Sequence, residues 1–303
     1  MIAQPRVSDL HYVALAVPDL GSEREFFTEK WGLVEVAERD GMVYLAAEGV
    51  AHPYVIRLRQ DDVRKIDLIG FSAPDAQSVD ALRESVSAAG GKIIGEPALL
   101  DRPFGGYGFR FFDIDGHAIE VVADNERREA RELSKGEAIP TGLSHIVLHS
   151  PSVQGLVDFY QRALGFRLSD AIGEFMLFLR CNSAHHRLAI LPGPASLNHV
   201  AFDVLSVDEL MRGLGRLNKS GVPVQWGPGR HTAGDNTFTY YLTPNGNVVE
   251  YTSDLEEVDD ENWQPQVYKF SPSITDQWGT GRIMANAPHT PAGEDPGLWQ
   301  EPV

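Results

Sequence analysis

The sequence predicts an α+β fold of four βαβββ modules in two domains, each domain a curled mixed sheet around a cleft. Three observations predict it. Residues 10–35, LHYVALAVPDLGSEREFFTEKWGLVE, return as residues 143–168, LSHIVLHSPSVQGLVDFYQRALGFRL, with Pro18 matched to Pro151 and Gly32 to Gly165 at a constant offset of 133. Each half then repeats the unit: IDLIGFSAPDAQSVDALRESVSAAGG (66–91) and LNHVAFDVLSVDELMRGLGRLNKSG (197–221) both read as strand, turn, amphipathic helix and glycine stop. Finally, DIDGHAIEVVAD (113–124) and TPNGNVVEYTSD (243–254) place Glu120 and Glu250 four residues beyond the turn glycines Gly116 and Gly246.

These repeats define the expected boundaries. Residues 1–130 form the first domain and 140–261 the second. The charged stretch ADNERREARELSKGEAIPTG (123–142) joins them, and 262–303 is an irregular Pro-, Gly- and Trp-bearing tail. A chain of 303 residues suits two domains of ordinary size. Its formal charge of −17 repels phosphate backbones and anionic lipid, so no nucleic acid or membrane partner is expected. The N-terminus lacks a basic region followed by an apolar core, and no apolar run is long enough to span a bilayer. With one cysteine no internal disulfide forms, which fits a cytoplasmic protein, and Cys181 is expected to be a small buried hydrophobe. The apolar strands and long tail fit a homo-oligomer.

Six of the ten histidines lie between 145 and 231, and histidine is both the commonest metal ligand and the usual acid/base group. His145 (LSHIVL) and His199 (LNHVAF) open the third and fourth modules, and Glu250 (NVVEYT) lies in the last strand of the fourth. Equivalent places in repeated modules let the three converge on one cleft. Two histidines and one carboxylate on one side of a metal are the donor set of non-haem Fe(II) centres that keep sites open for substrate and O₂. The first copy is an internal control: Tyr12 replaces His145, Leu68 replaces His199, and only Glu120 keeps its place. His11 is one residue out of register and on a strand would face the other way. The N-terminal half is therefore expected to keep the fold without a metal. His11, His52, His117 and His289 are read as structural, and His149 as structural or supporting the site.

At these residues the chain resembles the type I extradiol catechol dioxygenases of the vicinal oxygen chelate superfamily. The matching pieces are LSHIVL, FLRCNSAHHRLAI, LNHVAFDV and GPGRHTAGDNTFTYYLTPNGNVVEY, in this order. The resemblance implies Fe(II), less often Mn(II), on His145, His199 and Glu250, and cleavage of a catechol beside its two hydroxyls with O₂ as co-substrate. It places the acid/base histidine at His186, and it matches His231 and Tyr240 to residues that stabilise the developing anion and bond the diol oxygen. If HHRLAI is a strand from its first residue, His186 shares a face with Leu188 and Ile190 and points into the cleft. His185 then shares a face with Arg187, as a supporting or surface residue. Phe178 and Trp226 are expected to line the pocket, and no arginine stands among the residues before GPGRH. The substrate is thus expected to be an apolar, aryl- or alkyl-substituted catechol. Arg282 and His289 of the tail are candidates for a lid or a subunit contact.

Two alternatives stand beside this reading. A glyoxalase or epimerase of the same superfamily usually draws metal ligands from both repeats, which Tyr12 and Leu68 disfavour. A non-enzymatic binding member needs a cleft but no ligand triad.

Overall fold

The computed structural model describes residues 5–282 and 293–300, so His289 lies outside the described residues. Four modules follow one another along the chain. The first holds β1 (Asp9–Val17), α1 (Leu20–Glu25) continued by a π-helical stretch (Phe26–Trp31), β2 (Val34–Arg39), β3 (Met42–Ala46) and β4 (Ile56–Gln60). The second holds β5 (Lys65–Ser72), α2 (Ala76–Ala89), β6 (Lys92–Ile93), β7 (Ala98–Leu99), β8 (Tyr107–Phe112) and β9 (Ala118–Ala123). The third holds β10 (Gly142–Ser150), α3 (Val153–Leu164), β11 (Arg167–Ile172), β12 (Met176–Arg180) and β13 (Leu188–Pro192). The fourth holds β14 (Ser196–Asp203), α4 (Val207–Lys219), β15 (Trp226–Arg230), β16 (Thr237–Leu242) and β17 (Val248–Ser253). The βαβββ pattern is present four times, with the short β7 added in the second.

Each half forms one nine-stranded mixed sheet. The orders are β2-β3-β4-β1-β5-β9-β8-β6, with β7 on β8, and β15-β16-β17-β14-β10-β13-β12-β11, extended by β18 (Gln266–Tyr268). In both, the first strands of two modules pair antiparallel at the centre, β1 with β5 and β10 with β14. Each of these strands takes a parallel partner on its other side. This pairing is what curls each sheet around a cleft.

Alternation along the strands separates two faces. Ile146 and Leu148 of β10, Leu177 and Leu179 of β12, and Leu188 and Ile190 of β13 join the main core. Val147, Phe178 and Ala189 turn to the other face, inside the cleft. The main core runs through both halves. The helix predicted in the first module turns π-helical after Glu25, because a wider turn stacks Phe26 on Trp31 five residues later at 5.7 Å. That brings the fully buried Trp31 against Tyr251, Tyr241 and Phe202 of the other half.

Residues 124–141 carry neither helix nor strand. The tail is less irregular than its composition predicts: β18 runs parallel to β11, and a short helix α5 (Pro272–Thr275) follows. Among the described residues, no helix is long and apolar enough to cross a membrane. Cys181 is buried, and burial pushes its thiol up, so it behaves as a small hydrophobe. His117 is a buried core residue, its Nδ1 3.1 Å from Asp113 Oδ2, while its Nε2 has no partner among the described residues. His11 is buried, but neither of its ring nitrogens has a protein partner, so the expectation of a structural residue holds only through ring packing on Tyr54 and Tyr12. Truncating Trp31→Ala empties the junction between the halves and is expected to cost about 3–5 kcal/mol, read as a lowered denaturation midpoint with an unchanged slope.

Candidate metal centre and catalytic cleft

Cross-strand register builds the centre. His145 of β10 and Glu250 of β17 both stand opposite Ala201 of β14, which lies between them. His199 is two residues from Ala201 on the same strand and so shares its face. A β-bulge at Ser144 shifts the β10 register just before His145. The small side chain of Ala201 leaves open the space that the three longer ones surround.

The three donors converge tightly. His145 Nε2 lies 3.4 Å and His199 Nε2 3.1 Å from Glu250 Oε2, and the two imidazole nitrogens are 3.4 Å apart. Cis ligands on an ion with bonds of about 2.1 Å lie about 3.0 Å apart, so this triangle fits one face of a divalent cation. Glu250 is fully buried, faces the ring nitrogens of His145 and His199, and has no arginine or lysine paired with it among the described residues. An anion taken out of water with no charged side chain opposite it is stabilised by a cation nearby, and a metal in this triangle supplies one. Burial alone would raise the Glu250 carboxyl, but the two imidazoles hold it well below the usual carboxylate range. Burial pushes His199 down to about 4, against the pull of Glu250, which leaves it the neutral form that binds metal. Among the described residues this is the one cluster of histidine, cysteine and carboxylate groups close enough to hold an ion.

Around the centre lies a cleft of about 510 Å³. Val147, Ile172, Phe178, Leu191 and Trp226 line it, and Phe270 and Ile274 of the tail close one side. No lysine, arginine or carboxylate lines it among the described residues. Phe178 and Trp226 are among the lining residues. Arg282 is described but is not among the lining residues.

His186 reaches the cleft, its ring 4.3 Å from that of His145. Burial, then the neighbouring imidazoles, push it well below an ordinary histidine, so it is neutral. The strand expectation for the histidine pair needs correction. Residues 185–187 precede β13 in an irregular turn, and Leu188 and Ile190 face the main core, not the cleft. His186 enters the cleft because the strand has not yet begun. His185 is not a surface residue: it is fully buried, with Nδ1 3.0 Å from His186 Nδ1 and Nε2 3.0 Å from Asp170 Oδ2.

His231 Nδ1 lies 2.6 Å from the Thr275 carbonyl, which only accepts, so Nδ1 carries the hydrogen and Nε2 faces Tyr240 Oη at 3.1 Å. Burial lowers His231, and burial together with the Glu250 charge raises Tyr240. Tyr240 is opposite Glu250 in the strand register, and Trp226 is opposite Tyr240. His149 supports the site: Nε2 lies 2.7 Å from Asn198 Nδ2, whose Oδ1 is 2.6 Å from His199 Nδ1. Asp170, Asn198 and the Thr275 carbonyl were not legible as site groups. Asp170 carried the one available signal, an acid flanked by Leu168, Ala171 and Ile172 in a strand.

The N-terminal row answers position for position. Arg110, Glu120, Gly70 and Tyr12 stand where Tyr240, Glu250, Ala201 and His145 stand. Glu120 bonds the Tyr12 hydroxyl at 2.9 Å, Arg102 at 2.5 Å and Arg110 at 2.8 Å. Tyr12, Tyr44 and Tyr54 fill the cleft there.

Two curled sheets carry one open histidine–histidine–carboxylate face that could hold a metal ion, in the C-terminal half. The profile of the Glyoxalase/Bleomycin resistance protein/Dioxygenase superfamily matches residues 9–121 and 142–251, and the chain belongs to that superfamily. It is 29% identical over 301 residues to metapyrocatechase 2 of Cupriavidus necator, covering 91% of each chain. It is also 29% identical to biphenyl-2,3-diol 1,2-dioxygenase of Paraburkholderia xenovorans strain LB400, covering 93% of this chain and 97% of that one. The crystal structure of a Mn(II)-bound glyoxalase from Novosphingobium aromaticivorans superposes with a TM-score of 0.94 at 49% identity, over 97% of this chain and 98% of that one.

One equivalent of divalent metal per chain is expected by elemental analysis. Glu250→Ala and His145→Ala should abolish it. Glu120→Gln, in the metal-free copy, should leave it unchanged.

Proposed function

We propose that the protein is an extradiol ring-cleaving dioxygenase that inserts both atoms of O₂ into an apolar, aryl- or alkyl-substituted catechol. Fe(II), with Mn(II) as the alternative, would be held by His145, His199 and Glu250. The observation that carries this reading is the placement of a neutral, buried His186 beside a three-donor face that leaves ligand positions free, inside an apolar cleft. The metal, when bound, supplies a common site for the diol and O₂ and a path for electrons between them.

The protein side chains do the rest. His186 accepts a proton from one catechol hydroxyl as the diol binds and returns it later in the reaction, a contribution of roughly 10²–10⁴ in rate. His231 donates its Nδ1–H to the Thr275 carbonyl and accepts the Tyr240 hydroxyl at Nε2, so the Tyr240 oxygen is turned to accept from a diol hydroxyl, and His231 stabilises developing negative charge once Nε2 has taken up a proton. Ile172, Phe178 and Trp226 exclude water and receive an apolar ring substituent.

The name of the Novosphingobium structure raises a glyoxalase reading. The ligand set speaks for the dioxygenase instead, because all three donors come from one half and the other half holds Tyr12, Leu68 and an Arg102–Glu120 ion pair in their places.

Iron-loaded protein in air is expected to turn catechol, 3-methylcatechol or 2,3-dihydroxybiphenyl into a yellow ring-opened product with matching O₂ uptake. Carboxylated catechols should be the poorest substrates, since no lysine or arginine lines the cleft among the described residues. No turnover across that panel with metal bound defeats the reading. His186→Phe should keep its metal and lose about 10²–10⁴ of kcat, followed by the same colour assay.

A further inference from the structure

We propose that Asp170 and His185 are positioning residues that fix the tautomer of His186, leaving its Nε2 unprotonated toward the cleft. The proposal rests on the acid/base role given to His186 above. Asp170 Oδ1 accepts the backbone N–H of Gln266 at 2.8 Å, and Oδ2 lies 3.0 Å from His185 Nε2. A carboxylate accepts, so His185 carries its hydrogen on Nε2 and presents a lone pair at Nδ1. That nitrogen is 3.0 Å from His186 Nδ1. Two ring nitrogens share a hydrogen bond only if one donates, so His186 carries its hydrogen on Nδ1. Its remaining nitrogen, Nε2, is then a bare acceptor, the form a general base needs.

The surroundings hold this chain in one arrangement. Asp170 and His185 are buried, so water does not compete for their bonds. The Phe178 ring packs on both imidazoles, at 5.7 Å and 5.1 Å, and Trp263 meets His185 edge-on at 6.1 Å. The His185 backbone N–H is tied to the Glu256 carbonyl at 2.8 Å. Gly234, at φ +83°, leaves the room: a Cβ there would lie 3.1 Å from His185 Nδ1 and 3.3 Å from His186 Cε1. The N-terminal half is again the control. Ala37 stands opposite Tyr44 as Asp170 stands opposite Phe178, and Pro53 and Tyr54 precede β4 as the histidine pair precedes β13. Where the metal is lost, all three members of the chain are lost with it.

Asp170→Asn tests the idea with a side chain of the same shape. The Gln266 N–H keeps the amide oxygen, so the amide nitrogen turns to His185 Nε2 and donates. His185 then carries its hydrogen on Nδ1, and His186 is driven to the Nε2-protonated tautomer. Side-chain ¹⁵N NMR of the metal-free protein reads both rings directly. The wild type should show His186 protonated on Nδ1, and Asp170→Asn should show it on Nε2. Metal content and KM should be unchanged, with kcat for catechol lowered about 100-fold. His185→Phe should give a mixture of His186 tautomers and a similar loss of kcat. A wild-type His186 protonated on Nε2 overturns the proposal whether or not either variant folds, and so does an Asp170→Asn protein with an unchanged tautomer or full kcat. If the wild type shows the Nδ1 tautomer yet cleaves no catechol, the reaction assigned above falls and the positioning chain stands.

Discussion

The centre depends on one buried anion. Glu250 lies buried in the C-terminal sheet with no arginine or lysine paired with it among the described residues, an arrangement that costs several kcal/mol unless a cation is close. The N-terminal half faces the same electrostatic problem at Glu120 and solves it with guanidinium groups from Arg102 and Arg110. One fold thus carries two answers to one constraint. A fixed side-chain cation gives a packed, tyrosine-filled core. An exchangeable ion gives a site with open positions. The difference comes from a few residues on or beside one strand row, since the backbone pairing is shared.

That row also explains why the site is rigid. Trp226, Tyr240, Glu250, Ala201 and His145 follow one another across five adjacent strands, each held in register by its neighbours. Side chains on a sheet row keep their spacing as long as the ladder holds, which suits donors that must stay about 3 Å apart. Gly70 shows how strictly the row is packed: a Cβ on it would lie 2.2 Å from the Tyr12 ring. Tyr12 therefore occupies the volume that Ala201 leaves open in the other half.

The repeat made the fold and the metal triad legible, because it compared each position with a copy that had lost its chemistry. It located His145, His199 and Glu250 without any view of the sheet. The histidine pair shows the limit. Period-two alternation assumes a strand, and residues 181–187 make only an isolated bridge at Ala184 before β13 starts. His186 was thus placed in the cleft on a face that in fact points to the core. Asp170 could be seen as an acid in a strand but not assigned to the site, because its partner is 15 residues away and long-range pairing of buried polar groups leaves no local spacing.

The tail was read from its composition as a wrapping segment, and its hydrogen bonds give it a more specific part. His231 takes its orientation from the Thr275 carbonyl, and Asp170 receives the Gln266 N–H. Phe270 and Ile274 supply the apolar wall between those two contacts. A single segment of about 10 residues therefore sets the hydrogen direction at two histidines on opposite sides of the cleft and closes the cavity between them. Neither contact needs a particular side chain at Gln266 or Thr275, because both use backbone groups. The sequence of this segment can drift while its path is retained, which is why composition revealed so little of what it does.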